Sequence, residues 1–388
     1  MSKWKMVKLG DVCKFINGDR GKNYPSGKDI VENGIPFINA GHLVNNEISF
    51  SSMNYITEDK YNQLGSGKIQ KGDFLYCLRG SLGKHAIVEN LEKGAVASSL
   101  VILRPTNIDV HYLSYCMDSP SISTQLQQAN NGSSQPNLSA NSVKQYIVPL
   151  PPLEEQKRIA DILDKASNLI DLRKQQLEKM DLLIKSKFID MFGDPVTNPK
   201  GWEVKCLKDT ALGKLAYGSG ASATEYDFNV RYIRITDINE KGSLNDIKVS
   251  PNEISDGYLL SEGDILFARS GATVGKTFRY SKKYGKCIYA GYLIRLVPNQ
   301  KIVLPDYIYY FSRTDYYLSF IQQNMKTVAQ PNINAQQYGE LQIPIPQLSL
   351  QNQFAVFAEQ VEKQKAVMQQ SLEKMEMNYK ALMQEYFG

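Results

Sequence analysis

Two patterns of apolar residues alternate along the chain. In the first, apolar positions recur every seven residues: Leu163, Ile170, Leu177, Ile184 and Met191, with Ile162, Leu169 and Leu183 as a second stripe beside them. Near the C-terminus the stripes are Phe354, Val361, Met368, Met375 and Leu382, and Leu372, Tyr379 and Tyr386. Sevens sustained over about five heptads predict a coiled-coil seam. Each stretch runs for about forty residues without Gly or Pro, or about 60 Å of helix, which is long for a helix packed only on its own domain. Prolines at 149, 151 and 152, and at 344 and 346, stand just ahead of them, where proline favours a helix start. Both stretches stop at Phe-Gly. The second pattern fills the rest: short apolar runs such as "IPFINA", "GDFLYCLRG", "SSLVILRP", "GDILFARSG" and "AGYLIRLVP", broken by Gly, Asn, Asp and Ser. These predict short strands in mixed α/β domains, with helix near "VHYLSYCMDSPSISTQLQQ" and "PDYIYYFSRTDYYLSFIQQ".

The two patterns occur twice. "QPNLSANSVKQYIVPLPPLEEQ" (135–156) returns as "QPNINAQQYGELQIPIPQLSLQ" (330–351), a shift of 195 residues. "LEKMDLLIKSKFIDMFG" returns as "LEKMEMNYKALMQEYFG" at the same shift. "GIPFINAGHL" matches "NVRYIRITDI", "KGDFLYCLRGSLGK" matches "EGDILFARSGATVGK" with small gaps, and "KWKMVKLGDV" matches "GWEVKCLKDT". A period this long is domain duplication, not a solenoid. The expected division is a head over 1–150, a helical spacer over 151–195, a second head over 196–345 and a second spacer over 346–388. A chain built as head, helix, head, helix closes with an approximate two-fold axis if its helices lie antiparallel. Two similar heads on a stiff spacer suit a partner with repeat spacing, such as duplex DNA. A scaffold holding two protein or glycan partners fits the periodicity equally well.

Composition narrows this further. Forty-five Lys and Arg against 40 Asp and Glu give a net charge of +5, which permits a nucleic-acid partner without requiring one. The five cysteines (Cys13, Cys77, Cys116, Cys206, Cys287) are scattered, with no C-x-x-C pair, so neither a disulfide framework nor a zinc site is expected. The three histidines show no metal-ligand spacing. With no 18-residue apolar run and no signal-peptide pattern, a cytoplasmic location is expected. The tyrosine-rich "DYIYYFSRTDYY" is read as amphipathic packing, with a stacking surface as the sharper alternative.

The order of the doubled segments resembles the specificity subunit of type I restriction–modification enzymes, over essentially the full length. The resemblance is carried by "IVPLPPLEEQKRIADIL" and its copy "QIPIPQLSLQNQF", by "GDILFARSGATVGK" and its copy "GDFLYCLRGSLGK", and by the paired "LEKM…FG" helices. The second junction departs from the pattern, with Gln347 for the second proline and Ser349-Leu350 for the two glutamates. That puts in doubt any partner contact through those carboxylates and leaves the helix start intact. The resemblance implies a mixed α/β fold with two target-recognition domains separated by an antiparallel coiled coil. Each domain would read one half of a bipartite, asymmetric site in double-stranded DNA, with the helices setting the gap. It implies docking of two methyltransferase (M) subunits, which bind S-adenosylmethionine and methylate adenine at N6. Two restriction (R) subunits then join. It implies no catalytic residue and no cofactor on this chain, S-adenosylmethionine, ATP and Mg belonging to the partner subunits, and no membrane.

The residues agree that chemistry is absent. In "SGATVGKT", Gly271 and Gly275 enclose three residues where a phosphate-binding loop needs four, and the next residues read as strand. No N-P-P-F or D-P-P-Y loop occurs, and no Gly-rich dinucleotide fingerprint is read as following a strand. For DNA contact the candidates are polar residues in turns. Arg79 and Ser81 precede Lys84; Arg269 and Ser270 precede Lys276, and the two turns are read as matching. Arginine can bind guanine O6 and N7 with two hydrogen bonds, and either cation can hold phosphate; an ion pair within the head is the alternative. Asn39 and Arg234 follow equivalent strands, with Thr236 close behind, and Arg20 lies in "NGDRGKNY". Gln135-Pro136-Asn137 and Gln330-Pro331-Asn332 are read first as turns that aim the chain into the helix. Heads that read different half-sites should differ where bases are touched.

Overall fold

The computed structural model describes residues 4–129, 137–325 and 332–388. The chain divides into two compact units, Met1–Lys174 with Gln370–Gly388, and Gln175–Gln369. Each holds one head and one end of a helix pair.

The first head is built on a four-stranded antiparallel sheet in the order Cys13–Asn17, Leu100–Pro105, Phe74–Cys77, His85–Ile87. Its apolar runs are continuous because both faces are buried. Phe74, Tyr76, Val101 and Leu103 enter one core, shared with the helices Val110–Met117 and Pro120–Ala129. The alternate residues Leu75, Cys77, Leu100 and Ile102 enter another, against the parallel pair Ile35–Ile38 and Ala95–Val96. Side chains of successive strand residues point to opposite faces, so one run feeds two cores. A two-stranded pair, Met6–Lys8 with Ile147–Pro149, ties the start of the head to its end.

The second head repeats this plan. Its sheet runs Ala216–Tyr217, Leu293–Leu296, Ile265–Ala268, Thr277–Arg279, with the parallel pair Arg231–Ile233 and Cys287–Tyr289. Ile265, Phe267, Ile294 and Leu296 face the helices Pro305–Phe311 and Asp315–Met325, and Leu266, Ala268 and Leu293 face the other way. Glu203–Cys206 pairs with Gln342–Ile345. In the tyrosine-rich segment, Tyr307 and Tyr317 are buried core residues, as the packing reading expects.

The repeated junction proves to be a joint. Leu153–Phe192 and Leu348–Phe387 are continuous helices of 40 residues each. In the first turn of each stands a buried glutamine. The Gln156 side chain accepts from Asp109 N–H at 2.8 Å and donates to Pro151 C=O at 2.8 Å. Gln351 accepts from Leu304 N–H at 2.8 Å and donates to Pro346 C=O at 2.7 Å. Asp109 and Leu304 are the N-cap residues of matching helices in the two heads. Tyr112 Oη and Tyr307 Oη add bonds to Pro149 C=O and Pro344 C=O. Gln135, Pro136, Gln330 and Pro331 lie outside the described residues. Replacing Gln351 by leucine leaves these backbone groups buried without partners, so a loss of about 1–3 kcal/mol is expected. Thermal unfolding checks this, with exposed Gln353→Ala as the neutral control.

The helices pair antiparallel within each unit. In the first, Ile159 and Leu163 share a core with Met383 and Phe387, and Lys174 meets Glu376 at 3.3 Å. In the second, Asp181 pairs with Lys365, and Phe188 and Phe192 pack on Phe354 at 5.3 and 5.4 Å between ring centroids. Leu163, Ile170, Leu177 and Ile184 are buried, as their sevenfold spacing predicts. On the second helix Leu372 of the expected second stripe is buried, but on the first helix that stripe is corrected: Leu169 and Leu183 are 55% and 48% exposed. They lie about 100° round the helix from the buried stripe, beyond the narrow seam of a helix pair. The positions three after the stripe, Ala166, Arg173 and Met180, are half-buried instead. Lys365 places a charge in the seam. Burial works against that charge, and Asp181 and Glu362 more than offset it, raising the lysine's pKa. Such a polar layer specifies register.

Candidate nucleic-acid interface

The turn after the central strand is set by backbone hydrogen bonds that both heads share. Cys77 N–H donates to Lys84 C=O at 2.8 Å, and Ala268 N–H to Lys276 C=O at 2.9 Å. Leu78 N–H donates to Ser99 C=O, and Leu138 N–H to Leu78 C=O. Arg269 N–H donates to Tyr292 C=O, and Ile333 N–H to Arg269 C=O. Arg79 bridges Asn137, and Ser270 bridges Asn332. The Gly-Lys glycines, Gly83 and Gly275, have φ of +83° and +88°. A Cβ there would lie 3.2 Å from Leu126 and 2.9 Å from Ile321, side chains of the neighbouring helices. The glycine therefore serves a left-handed turn against a helix, and a strand follows its lysine, as the rejection of a phosphate loop expects.

These bonds correct the matching of the two turns. Lys84 and Lys276 are equivalent, but Arg79 is not the counterpart of Arg269. Leu78 occupies the Arg269 position, and Ser270 occupies that of Arg79. The second turn is one residue longer, but the extra residue falls between Gly271 and Gly275, past this point; pairing the two arginines by residue type displaced the match by one. In extended backbone that single step sends a side chain to the opposite face. Leu78 is accordingly buried in the core, whereas Arg79 is exposed.

In the first head, Arg20 and Arg79 come together in a polar cleft of about 520 Å³ with Asn17, Asn137 and Asn141. Arg20 reaches Ser98 C=O at 3.4 Å. Ser81 and Lys84 are exposed beside it in the turn. Asn39 is a cap: its Oδ1 accepts from Gly41 N–H, while Asn39 N–H donates to His42 Nδ1. In the second head the counterpart of Asn39 is also a cap. Arg234 pairs with Asp237 at 2.8 Å, and that carboxylate raises the basicity of the guanidinium. Arg234 and exposed Thr236 line a cleft of about 580 Å³ together with Tyr232 and Tyr292. The charge of Lys276 is paired with Glu240 at 2.8 Å.

Arg269 differs. Its guanidinium lies 4.8 Å from the ring centroid of Tyr217, and its Nε donates to Asn332 Oδ1 at 3.3 Å. Tyr217 and Tyr292 are 44% and 61% exposed. Sequence reasoning passed over both. Register supplies the missing signal, since Asn17 and Tyr217 oppose Val101 and Ile294, which in turn oppose Tyr76 and Phe267. The same frame thus carries Asn17, Leu78, Arg79 and Ser99 in one head, and Tyr217, Arg269, Ser270 and Tyr292 in the other.

No group of three or more His, Cys, Asp or Glu among the described residues could hold a metal. Cys13, Cys77, Cys116 and Cys287 are buried and free, and burial pushes the Cys13 thiol up to about 12 and Cys287 to about 11. They are packing residues, not nucleophiles. No helix of the described residues is long and apolar enough to cross a membrane.

Comparison with known proteins decides the family. The model of the type I restriction modification DNA specificity domain matches twice, over residues 1–181 and 199–377. The chain belongs to that family. It is a specificity subunit, a non-catalytic component. The type I restriction enzyme MjaIX specificity subunit of Methanocaldococcus jannaschii is 27% identical over 301 residues, covering 70% of this chain and 67% of that protein. The MjaVIII specificity subunit of the same organism is 27% identical over 47% of this chain and 46% of its own length. The EcoKI specificity subunit of Escherichia coli is 21% identical over 79% of this chain and 71% of its own. Among solved structures, a type I restriction-modification S subunit from M. genitalium superposes with a TM-score of 0.62 at 14% identity, covering 100% of this chain and 96% of that one. A chain from a study of complex assembly in the type I R-M system gives 0.60 at 18%, covering 99% and 97%. At these identities the likeness is one of fold: mixed α/β heads and a coiled coil.

Proposed function

We propose that each head reads one half of a bipartite, asymmetric site in double-stranded DNA. The helix pair sets the unspecified gap and docks two methyltransferase subunits, which methylate adenine at N6. Through that complex two restriction subunits join. S-adenosylmethionine, ATP and Mg are held by those partners, and the complex works on DNA in the cytoplasm. The observation that carries the reading is the shared frame with different side chains. Two heads with one backbone plan, and with Asn17, Leu78, Arg79 and Ser99 replaced by Tyr217, Arg269, Ser270 and Tyr292, suit two targets of one kind but different sequence. Arg20, Arg79, Ser81 and Lys84 in the first head, and Arg269, Ser270, Thr236 and Lys276 in the second, are the residues assigned to DNA. Asn39 and Arg234 act by shaping the turns beside them. Phosphate contacts then position each head, and base contacts specify the sequence.

The test is co-expression with the cognate methyltransferase subunit in a host lacking N6-methyladenine, followed by methylome sequencing. One split motif with adenine methylated in each half is expected, lost when this chain is omitted. Binding of the complex to that site should weaken steeply between 50 and 200 mM salt, about 10³-fold or more if six phosphates are contacted. A methylome that stays blank with both chains expressed would sink the reading and return the chain to a scaffold role.

A further inference from the structure

We infer that the second head reads a guanine through Arg269, and that the first head makes no such contact from the equivalent position. The inference rests on the DNA-reading function proposed above and names one base of its target.

Among the described residues of the second head, the other arginines are engaged elsewhere. Arg234, Arg279 and Arg295 are paired with Asp237, Asp306 and Asp264. Arg231 is buried against the carbonyls of Asn245 and Ile247, and Arg313 is bound to Tyr309 C=O over the Tyr309 ring. Arg269 has two neutral supports. Its guanidinium carbon lies over the Tyr217 ring, 4.8 Å from the centroid, and Asn332 takes its Nε–H at 3.3 Å. These hold the guanidinium from two sides without neutralising its charge. With Nε engaged, the two terminal nitrogens present a parallel pair of N–H donors. Guanine is the base that offers two acceptors, O6 and N7, side by side in the major groove. A fork already held by two neighbours loses less entropy on binding than a free side chain. Exposed Tyr292 flanks the same turn through its backbone bond to Arg269.

The first head cannot copy this. Leu78 takes the position and is buried, Asn17 replaces the stacking tyrosine, and Arg79 leaves the backbone one residue later, towards the cleft it shares with Arg20. The two half-sites therefore differ at the base pair that Arg269 addresses.

The test uses the complex of the full chain with its methyltransferase subunit, comparing wild type, Arg269→Leu and Arg269→Lys by methylome sequencing and by binding to a panel of site variants. Leucine is the residue that the first head carries at this position, so the backbone accommodates it; an unchanged unfolding midpoint confirms this. Lysine keeps the charge and loses the fork. The expected result is a guanine fixed in one half-site of the wild-type motif. Both variants lose preference at that base pair, roughly 10- to 100-fold for leucine and less for lysine, while the other half-site and the gap stay unchanged. Overturning it takes one of two results. In the first, Arg269→Leu weakens all sites evenly, lowers the salt slope by about one and leaves every base preference intact, which marks a phosphate contact. In the second, every variant keeps the wild-type motif and affinity. A wild-type complex that methylates no split motif is a different result, and it overturns the DNA-reading function together with the inference.

Discussion

Replacing Phe354 by alanine is expected to destabilise the second unit by about 3–5 kcal/mol, the usual cost of truncating a fully buried aromatic. Phe354 stands one turn after the joint glutamine Gln351, where the helix leaves the head. Its ring meets Phe188 at 5.3 Å and Phe192 at 5.4 Å on the other long helix, and Tyr310 at 5.3 Å on the head. One side chain therefore bonds helix to helix and helix to head. Alanine leaves a cavity walled by rigid rings, which relax poorly. Val356, two residues on and 55% exposed, is the control: its alanine variant should fall within about 0.5 kcal/mol of wild type. Urea denaturation reads both. Equal effects at the two positions would mean that the ring cluster does not hold the joint together.

Phe354 also shows what the sequence made legible. It was the first residue of a sevenfold stripe, in which Phe354 and Val361 are buried and Met368, Met375 and Leu382 half-buried. Periodicity reports which face of a helix is apolar, and in an antiparallel pair that face is the seam. It does not report the seam's width, which is why Leu169 and Leu183 were expected inside and lie outside. Width depends on how many helices surround the seam, and no single helix encodes that number. The joint was legible as a repeat but not as a mechanism. "LEEQ" and "LSLQ" share only the leucine and the glutamine, and the glutamine proves to be the residue that bonds the head.

The turn that frames the candidate interface was legible to within one residue. Strand, turn, glycine and lysine matched in both heads, and the backbone bonds confirm that frame. The turn in the second head is one residue longer beyond the arginine, and aligning on the arginine alone placed Arg79 opposite Arg269. Identity of residue type outweighed register in that match. Register could have been recovered from the strands alone, because "FLYC" and "ILFA" alternate between the same two cores. Tyr217 and Tyr292 stayed hidden for a related reason. A tyrosine in a sequence reads as core until a partner strand shows which way it points.

Lengthening both helices by one heptad is expected to change the DNA target without touching either head. Under the proposed ruler role, seven residues placed between Lys174 and Gln175 and seven between Gln369 and Gln370 insert at the boundary of the two compact units. Each unit then keeps its own contacts, including Asp181 with Lys365 and Lys174 with Glu376. A heptad returns the seam to the same face, so the stripes remain continuous. Seven residues of helix add about 10 Å, against 3.4 Å per base pair of duplex, so the gap should grow by about three base pairs. Methylome sequencing of the complex should then find both half-sites unchanged and farther apart. A heptad in one helix alone forces a mismatch, because the two strands of the pair can no longer both reach their joints at Gln156 and Gln351. Methylation should be lost in that variant. If the doubly lengthened chain kept the original gap, the helices would not be setting the spacing, and the two heads would have to be placed on DNA by the partner subunits.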